Sequence, residues 1–286
     1  MAANSNIQWT KHTWNPVEGC RKVSQGCKYC YAERLVERFN KPGQPKEKDF
    51  SKVRRTSAQT WNFPYKIHKK LTGQEPFTER LVFTCSMSDF FISEADEWRP
   101  EMWRIIRETP NLIYQILTKR PERVLENLPH DWGEGYPNVW IGVSTENQEN
   151  FDLRVPILLS IPAKVRFLSI EPLIGEIDLT KVMESNKLDW VIIGGESGNE
   201  SGKSRYRPCN ASWIQYLTAM FQLAGVPVFV KQLGTYLAKG MGLHDKKGGD
   251  INEFPEGLRI RQWPKGYEGK NIETKPIHAL NLFDQL

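Results

Sequence analysis

The sequence lacks any apolar stretch long enough to cross a membrane. Its longest apolar runs, such as 191–193 and 226–230, fall far short of the roughly 20 residues that a spanning helix requires. The first residues contain no cationic segment followed by an apolar one, so no secretory signal is predicted. Internal repeats and low-complexity tracts are also absent. These absences predict a cytoplasmic protein that does not associate with membranes.

Cysteine is scarce, and its count is odd, since the 286 residues include only five. Thiols stay reduced in the cytoplasm. An odd number of cysteines, three of them close together in the chain, does not fit a disulfide framework. The clustering therefore favours a metal site or catalysis, and we expect the isolated Cys209 to be an ordinary thiol.

A strong charge of either sign is missing too. The chain has 39 Lys and Arg against 34 Asp and Glu, a net charge of +5. Such a mild excess is compatible with a polyanionic partner but does not require one. With 26% charged and 39% hydrophobic residues, the composition is that of a soluble globular protein with one large or two small domains.

Short and continuously apolar runs recur along the chain, with stretches of helical spacing between them. Continuous apolar runs are typical of strands that are buried on both faces. Their alternation with helices predicts βαβ units and a parallel sheet, either a partial (β/α)6–7 TIM-like barrel or an open doubly wound sheet. We favour the partial barrel. The predicted strands are 7–10, 81–85, 112–117, 139–143, 165–170, 190–193 and 227–230.

Two regions interrupt the alternation of strands and helices. Residues 40–80 are interpreted as an insertion with partial helix above the barrel mouth. Residues 235–286 are interpreted as a loop-rich C-terminal extension that packs on the barrel domain, 1–234. Asn210 and Gly225 are the predicted cap and stop of the last helix. The predicted helices are 31–39, 97–108, 121–128, 151–159 and 211–224.

Polar side chains directly follow the predicted strands. In a parallel barrel the chemistry lies at the carboxyl ends of the strands, so these residues are candidates for a site. The alternative is that loops are polar whatever their function. The candidates are Cys85, Ser86, Ser88 and Asp89 after the second strand, Lys119 and Arg120 after the third, Ser144 and Glu146 after the fourth, Glu171 after the fifth, Glu196 after the sixth, and Lys231 at the end of the seventh.

The three clustered cysteines, Cys20, Cys27 and Cys30, follow the first predicted strand with the spacing C-x6-C-x2-C. Three thiolates, two of them only three residues apart, suit a soft metal or an iron–sulfur cluster. Gly19 and Gly26 allow the intervening loop to curl around a ligand. We expect the three cysteines to be metal ligands, with uninvolved thiols as the least favoured alternative.

A fourth ligand is not evident. His12 and Cys85 are candidates, but neither has diagnostic spacing, and a structural zinc normally takes four protein ligands. A cubane on three cysteines leaves one iron free for a cofactor or a substrate. We therefore favour a 4Fe-4S cluster and keep a zinc site as the alternative.

A cysteine triad after the first strand of a partial barrel resembles the radical S-adenosylmethionine superfamily. The common motif there is C-x3-C-x2-C with an aromatic residue before the last cysteine, where this chain has Tyr29 but departs in its x6 spacing. More closely, the chain resembles the Gp-thirty-seven/Gp-sixty-eight phage family of radical-SAM-like proteins. The segments that carry this likeness are TWNPVEGCRKVSQGCKYCYAE, FTCSMSDFF, LTKRPER, VWIGVSTENQ, RFLSIEPLIG, WVIIGGESG and VKQLG.

The resemblance implies a 4Fe-4S cluster, S-adenosylmethionine as a second cofactor, and a flavodoxin-like or ferredoxin-like reductant. In the superfamily, one electron cleaves the sulfonium to a 5′-deoxyadenosyl radical, which abstracts hydrogen from a substrate. The implied roles are adenine packing for Tyr29, ammonium binding for Ser86, Ser88 and Asp89, carboxylate or substrate-anion binding for Lys119 or Arg120, ribose binding for Ser144 and Glu146, and substrate-side chemistry for Cys85, Glu171, Glu196 and Lys231.

Plainer roles remain open for three of these residues: Asp89 as a turn cap, Arg120 as the start of a helix, and Glu146 as a solvated loop residue. The expected substrate is a nucleobase of DNA or RNA, because of the phage resemblance, the basic charge and the aromatic residues Trp61, Phe63 and Tyr65. A small nucleoside or metabolite and a protein are the alternatives. No recognised nucleic-acid motif is present. A zinc-stabilised, non-catalytic nucleic-acid-binding protein is the rival class.

Overall fold

The computed structural model describes residues 4–38, 40, 49–179, 187–201 and 205–267. The strands are β1 (His12–Trp14), β2 (Val17–Glu18), β3 (Arg54–Arg55), β4 (Leu81–Thr84), β5 (Ile113–Thr118), β6 (Val139–Ser144), β7 (Val165–Ile170), β8 (Trp190–Gly194) and β9 (Val228–Gln232). Seven of them form one sheet in the order β1-β4-β5-β6-β7-β8-β9, and β2 pairs with β3 in a small antiparallel ribbon. The predicted parallel α/β fold of the partial-barrel class is confirmed.

Helices lie between the strands, as the apolar spacing predicts, and none in the described part of the chain is long and apolar enough to span a membrane. The predicted helix over 151–159 begins earlier because the Asn147 side chain accepts a hydrogen bond from the Asn150 N–H at 3.1 Å and caps it. The helices are α1 (Tyr31–Glu37), α2 (Ala58–Trp61), α3 (Phe63–His68), α4 (Phe77–Arg80), α5 (Arg99–Glu108), α6 (Gln148–Ser160), α7 (Ala211–Leu223) and α8 (Thr235–Gly240).

Two predicted elements are wrong. The strand expected over 7–10 is a turn, in which the Thr10 N–H donates to the Ile7 carbonyl at 3.2 Å, and the first strand is β1. Ile7 and Trp9 gave the apolar signal, but β1 contains the polar His12 and Thr13. The α-helix expected over 121–128 consists of two short 3-10 turns, because Leu128 precedes a proline and is extended.

The chain divides into two compact units. The first contains residues 1–143 and 160–164 and includes β1 to β5 and most of β6. In its sheet, Thr13 pairs with Phe83, and Phe83 pairs with Gln115. The described part of the predicted insertion, 40–80, contains β3 and the short helices α2 to α4, and residues 41–48 lie outside the described residues.

The second unit contains residues 144–159 and 165–286 and includes β7, β8 and β9. Residues after α8 pack against β9, where the Val230 N–H donates to the Ile260 carbonyl at 2.9 Å and the Gln262 N–H donates to the Val228 carbonyl at 2.8 Å. Trp263 stacks on Trp190 of β8 with 5.4 Å between the ring centroids. The predicted domain boundary at 234 stays a prediction, as does the placement of the insertion above the barrel mouth.

Gly195 is required by space, because a Cβ built there would lie 2.2 Å from the Leu233 carbonyl oxygen. The Cβ would be attached to the Gly195 backbone and would meet the Leu233 backbone, and neither segment can shift easily. We therefore expect Gly195→Ala to lower the free energy of unfolding by about 3 kcal/mol or more in urea denaturation. The control is Gly240→Ala, since nothing lies within 4 Å of that Cβ position. An equally small effect in both variants would contradict the assignment.

Candidate metal centre

The three clustered cysteines lie in one loop, residues 19–30, which we call the cysteine loop. It begins at Gly19, whose φ is +99° and whose added Cβ would lie 2.5 Å from the Lys52 carbonyl oxygen. The Gly19 N–H donates to the Met87 carbonyl at 3.1 Å, and the Cys20 N–H donates to the Phe50 carbonyl at 2.9 Å. Only glycine fits the conformation and the space at this position. The start of the loop is therefore fixed by two neighbouring segments.

All three cysteines are partly buried. Cys27 ends a short 3-10 turn, and Cys30 is the residue that precedes α1. Cys20 and Cys30 pack against an apolar cluster that includes Val36 and Phe50. Burial is the main cause that raises the pKa of both Cys20 and Cys30, and the charge of Cys27 adds a smaller contribution to each, so the three thiols share one electrostatic neighbourhood. The predicted role of the three cysteines as metal ligands stays a prediction.

Burial keeps the thiols of Cys20 and Cys30 protonated when no metal is present. It is the main cause that raises the pKa of Cys20 to about 11. The pKa of Cys30 is also raised, mainly by burial, although the backbone N–H groups of Glu33 and Ala32 and the charge of Lys119 oppose the shift. A metal or cluster that binds here must therefore displace protons from the thiols.

Asp89 lies at the centre of the polar contacts around the loop, and it is buried. Its Oδ1 atom accepts hydrogen bonds from the Thr118 hydroxyl at 2.7 Å and from the Phe91 N–H at 3.0 Å. Its Oδ2 atom accepts from the Lys119 N–H and from Arg120 Nη1, both at 3.0 Å. The carboxylate therefore has four donors from the protein. Its predicted contact with the methionine ammonium stays a prediction.

Arg120 connects Asp89 to the cysteine loop. Its Nη1 atom also donates to Cys20 Sγ at 3.8 Å, and its Nη2 atom donates to the Arg21 carbonyl at 2.8 Å. The ion pair with Asp89 is buried, with 9% and 6% of the two side chains exposed. The predicted pairing of Arg120 with a carboxylate would compete with three existing contacts.

Lys119 presents a different environment from its neighbour Arg120. It is partly exposed, and its charge lowers the pKa of the Cys30 thiol, which places the ammonium near that cysteine. Among the residues that the structure describes, no carboxylate lies within ion-pair distance of Lys119 Nζ. Lys119 is therefore a cation of this region that is available to an incoming anion.

The segment after β4 also fixes the cysteine loop. The Ser88 hydroxyl donates to the Gly19 carbonyl at 2.6 Å, and the Ser86 hydroxyl donates to Asn15 Oδ1 at 3.1 Å. The Tyr31 hydroxyl donates to the Ser86 carbonyl at 2.6 Å. Sequence reasoning missed Asn15, although this buried amide at the end of β1 is a polar residue at a strand end. The predicted cofactor contacts of Ser86 and Ser88 stay predictions.

Cys85 and Tyr29 complete the predicted residues of the first unit. Cys85 is buried in the left-handed region with φ of 61°, a conformation that costs free energy for a residue other than glycine. Its pKa is raised, mainly by burial, with smaller contributions that include the charges of Asp89 and Cys20. Tyr29 is partly exposed, and Lys28 Nζ lies 5.4 Å from the centre of its ring.

The donor atoms of the cysteine loop fit an iron–sulfur cluster. Three sulfurs from one partly buried loop are the ligands that such clusters take. In the described ranges, no three His, Cys, Asp or Glu side chains stand close enough together to hold a single metal ion. In a cubane each cysteine binds a different iron, so the three sulfurs need not converge on a single metal ion.

In the second unit, Glu146 is wholly buried and paired. Arg154 Nη1 donates to Glu146 Oε2 at 2.9 Å and to the Ser144 carbonyl at 2.7 Å. The Glu146 carbonyl accepts from the Ile174 N–H at 2.9 Å. These contacts account for Glu146 as a structural residue. The predicted binding of ribose by Ser144 and Glu146 would require this ion pair to open.

Glu196 is also held by an arginine. Its carboxylate accepts from the Arg207 N–H and Nε at 2.8 Å each, and from Nη2 at 2.5 Å. Only 6% of the Glu196 side chain is exposed. The bidentate pair with the added backbone hydrogen bond fixes the segment after β8.

Glu171 and Lys231 form an ion pair in the second unit, between the ends of β7 and β9. Lys231 Nζ donates to Glu171 Oε1 at 2.5 Å, and 18% and 16% of the two side chains are exposed. Gly194 of β8 lies beneath them, since a Cβ there would be 3.5 Å from Glu171 Cδ. Both members of this pair are predicted site residues, and both are partly exposed to solvent. The other two predicted carboxylates of this unit, Glu146 and Glu196, are buried and pair with arginines that were not predicted.

A family model matches residues 4–272 of the chain, and the family is described as "Protein of unknown function (DUF5131)". The chain belongs to this family. The comparisons with curated proteins and with solved structures found no match. The DUF5131 region includes the cysteine loop and every strand-end candidate. The family description assigns no activity, so the residues of the site are the basis for inferring a function.

The free energy of unfolding of two variants is expected to distinguish the buried carboxylate of Glu146 from the partly exposed one of Glu171. We expect Glu146→Gln to lower the free energy of unfolding by about 3–5 kcal/mol, because it leaves the Arg154 cation buried without its partner. Glu171→Gln should cost about 1 kcal/mol or less, because its ion pair is partly solvated. Urea denaturation of both variants measures the difference. Equal losses would contradict the distinction.

Proposed function

We propose that the chain is a radical S-adenosylmethionine enzyme in which Cys20, Cys27 and Cys30 hold a 4Fe-4S cluster. The observation that carries this proposal is the cysteine loop, which brings three partly buried thiols into one electrostatic neighbourhood. The resemblance to the radical-SAM-like phage family supports the same assignment. A zinc-stabilised protein without catalysis is the rival that the experiments below distinguish.

When bound, the cluster and S-adenosylmethionine supply an electron and an organic radical for hydrogen abstraction. The chain's own residues bind and orient. Lys119 binds the methionine carboxylate, because its ammonium lies near Cys30 and has no carboxylate partner among the described residues. Arg120 instead serves the protein, since its guanidinium already has three acceptors.

For the substrate we propose a nucleobase of DNA or RNA, with a small nucleoside as the next candidate. The net charge of +5 and the phage resemblance support this choice. The aromatic residues of the insertion do not, because Trp61 and Phe63 are buried and the Tyr65 hydroxyl is bonded to Glu108. The expectation that these aromatic residues stack on bases is therefore wrong. Trp61 is instead covered by Arg55, whose guanidinium carbon lies 3.8 Å from the centre of the Trp61 ring.

The groups proposed to face the substrate are Glu171 and Lys231, the ion pair that keeps contact with solvent. Either can hold or move a proton at its terminal oxygen or nitrogen atom. The proposed reductant is a flavodoxin-like or ferredoxin-like protein, and the proposed location is the cytoplasm, where thiols stay reduced.

The test of this function is product formation. Protein purified without oxygen, reduced with dithionite and supplied with S-adenosylmethionine is expected to release 5′-deoxyadenosine, faster when single-stranded DNA or RNA is added. A colourless protein that contains one zinc would refute the proposal. Iron-loaded protein that releases no 5′-deoxyadenosine with any candidate substrate would refute the catalytic part.

Lys119→Met is expected to weaken the binding of S-adenosylmethionine to the loaded protein by about ten- to a hundredfold, because it removes a charge-assisted bond to the carboxylate. Iron content should not change, since Lys119 is not a ligand. Equilibrium binding of labelled S-adenosylmethionine gives the measurement, with the exposed Lys164→Met as the control. Unchanged affinity in Lys119→Met would remove Lys119 from the binding site.

A further inference from the structure

Arg120 makes more hydrogen bonds than its ion pair with Asp89 alone requires. The guanidinium is buried, and its donors reach acceptors on two separate segments of the chain. One is the Asp89 carboxylate, after β4. The others belong to the cysteine loop: Cys20 Sγ and the Arg21 carbonyl. The loop is thus bonded at adjacent residues to a side chain that follows β5.

We propose that Arg120, oriented by Asp89, is a positioning residue that fixes the cysteine loop and raises the reduction potential of the cluster by donating a hydrogen bond to Cys20 Sγ. This inference rests on the proposed function. The first part, that Arg120 fixes the cysteine loop, also applies to the protein without a cluster. The two parts therefore have separate readouts.

The hydrogen bonds around Cys20 explain how Arg120 acts on a thiolate. In the free thiol, Cys20 Sγ donates to the Arg21 carbonyl at 3.5 Å. A metal-bound thiolate has no proton to donate, so Arg120 is left as the donor to both the sulfur and the carbonyl. Positive charge and hydrogen bonds at a ligating sulfur stabilise the reduced cluster, which carries more negative charge, and so raise its potential.

The shape of the side chain also matters. A guanidinium presents several N–H donors in a planar fork, whereas an ammonium is a point charge on a flexible stem. Arg120→Lys therefore keeps the charge opposite Asp89 but cannot serve Asp89, Cys20 and Arg21 together in the same geometry. Arg120→Met removes both the charge and the hydrogen bonds. The two variants separate the effect of charge from that of loop attachment.

The matched control is Arg123→Met. Arg123 is a partly buried arginine three residues away, and it donates to the Phe91 carbonyl at 2.8 Å and to Asp96. None of its hydrogen bonds reaches the cysteine loop. Its replacement removes a comparable side chain from the same region, so a general loss of stability would appear in this control as well.

The experiment has two readouts. The potential of the cluster is measured by redox titration followed by electron paramagnetic resonance. We expect a more negative midpoint in Arg120→Met, a smaller shift in Arg120→Lys, and the wild-type value in Arg123→Met. Amide exchange of the metal-free proteins is the second readout. It should be faster over residues 21–28 in both Arg120 variants, with unchanged exchange in β5 and β6.

The outcomes separate the inference from the proposed function. A wild-type protein that binds no iron would refute the proposed function and the effect of Arg120 on the reduction potential. Amide exchange would still test whether Arg120 fixes the cysteine loop. Loaded variants of Arg120 with the wild-type midpoint would overturn the redox part. Exchange over 21–28 that matches wild type in both Arg120 variants would overturn the positioning role. If Arg120→Met does not fold, Arg120→Lys carries both measurements.

Discussion

Cys30→Ala is expected to abolish iron binding. The variant, reconstituted without oxygen, should contain only background iron and lack the brown colour of an iron–sulfur protein. Cys30 lies between the loop and α1, and its thiol interacts with the charge of Cys27. A cubane that loses Cys30 keeps only two of its three protein ligands, and Cys85, the other cysteine of the first unit, is buried. Iron analysis and visible absorption give the measurement.

Cys209→Ala is the matched control for this experiment. Cys209 is a buried thiol of the second unit, and burial raises its pKa to about 12. It has no part in the cysteine loop, so its replacement should leave the iron content unchanged. Full iron retention in Cys30→Ala would refute the ligand assignment, and equal losses in both variants would indicate a general failure to fold.

Asp89→Asn is expected to lower the free energy of unfolding by about 3–5 kcal/mol, because the substitution leaves the buried Arg120 cation without its anion. An asparagine side chain also has only one acceptor oxygen, whereas the Asp89 carboxylate receives four hydrogen bonds. The amide nitrogen of the new side chain would face N–H donors and leave some of them unsatisfied. Urea denaturation of the metal-free protein measures the loss.

Asp131→Asn provides the comparison for Asp89→Asn. Asp131 pairs with Arg107 at 2.7 Å, and 38% and 51% of the two side chains are exposed. Exposed ion pairs contribute little to stability, so this variant should remain close to wild type. A loss in Asp89→Asn no larger than that in Asp131→Asn would show that the Asp89 contacts do not hold the loop region together.

Much of the sheet could be predicted from the sequence, because strands buried on both faces leave continuous apolar runs. β7 has the predicted bounds, and β8 is one residue longer than predicted. The first strand could not be found this way, since β1 has only three residues, two of them polar. The two 3-10 turns in 121–128 have the apolar spacing of a helix, and the proline that follows Leu128 was the signal against one.

The candidate site was predictable where the signal is local. The spacing of the cysteines predicts that all three lie in one loop, and their role as metal ligands stays a prediction. The partners of the strand-end charges were not predictable, because they depend on the fold: Asp89 pairs with Arg120, Glu196 with Arg207 and Glu171 with Lys231. A charged side chain at a strand end needs a partner when it is buried. A polar residue at a strand end can therefore have a structural role as readily as a functional one.

In the proposed function, three cysteines hold a cluster whose remaining iron is open to S-adenosylmethionine. The most direct measurement is the electron paramagnetic resonance spectrum of the dithionite-reduced protein with and without S-adenosylmethionine. We predict a signal of a reduced 4Fe-4S cluster whose g values change when S-adenosylmethionine is added. A reduced cluster with the same spectrum in both samples, or a protein without iron, would contradict the claim.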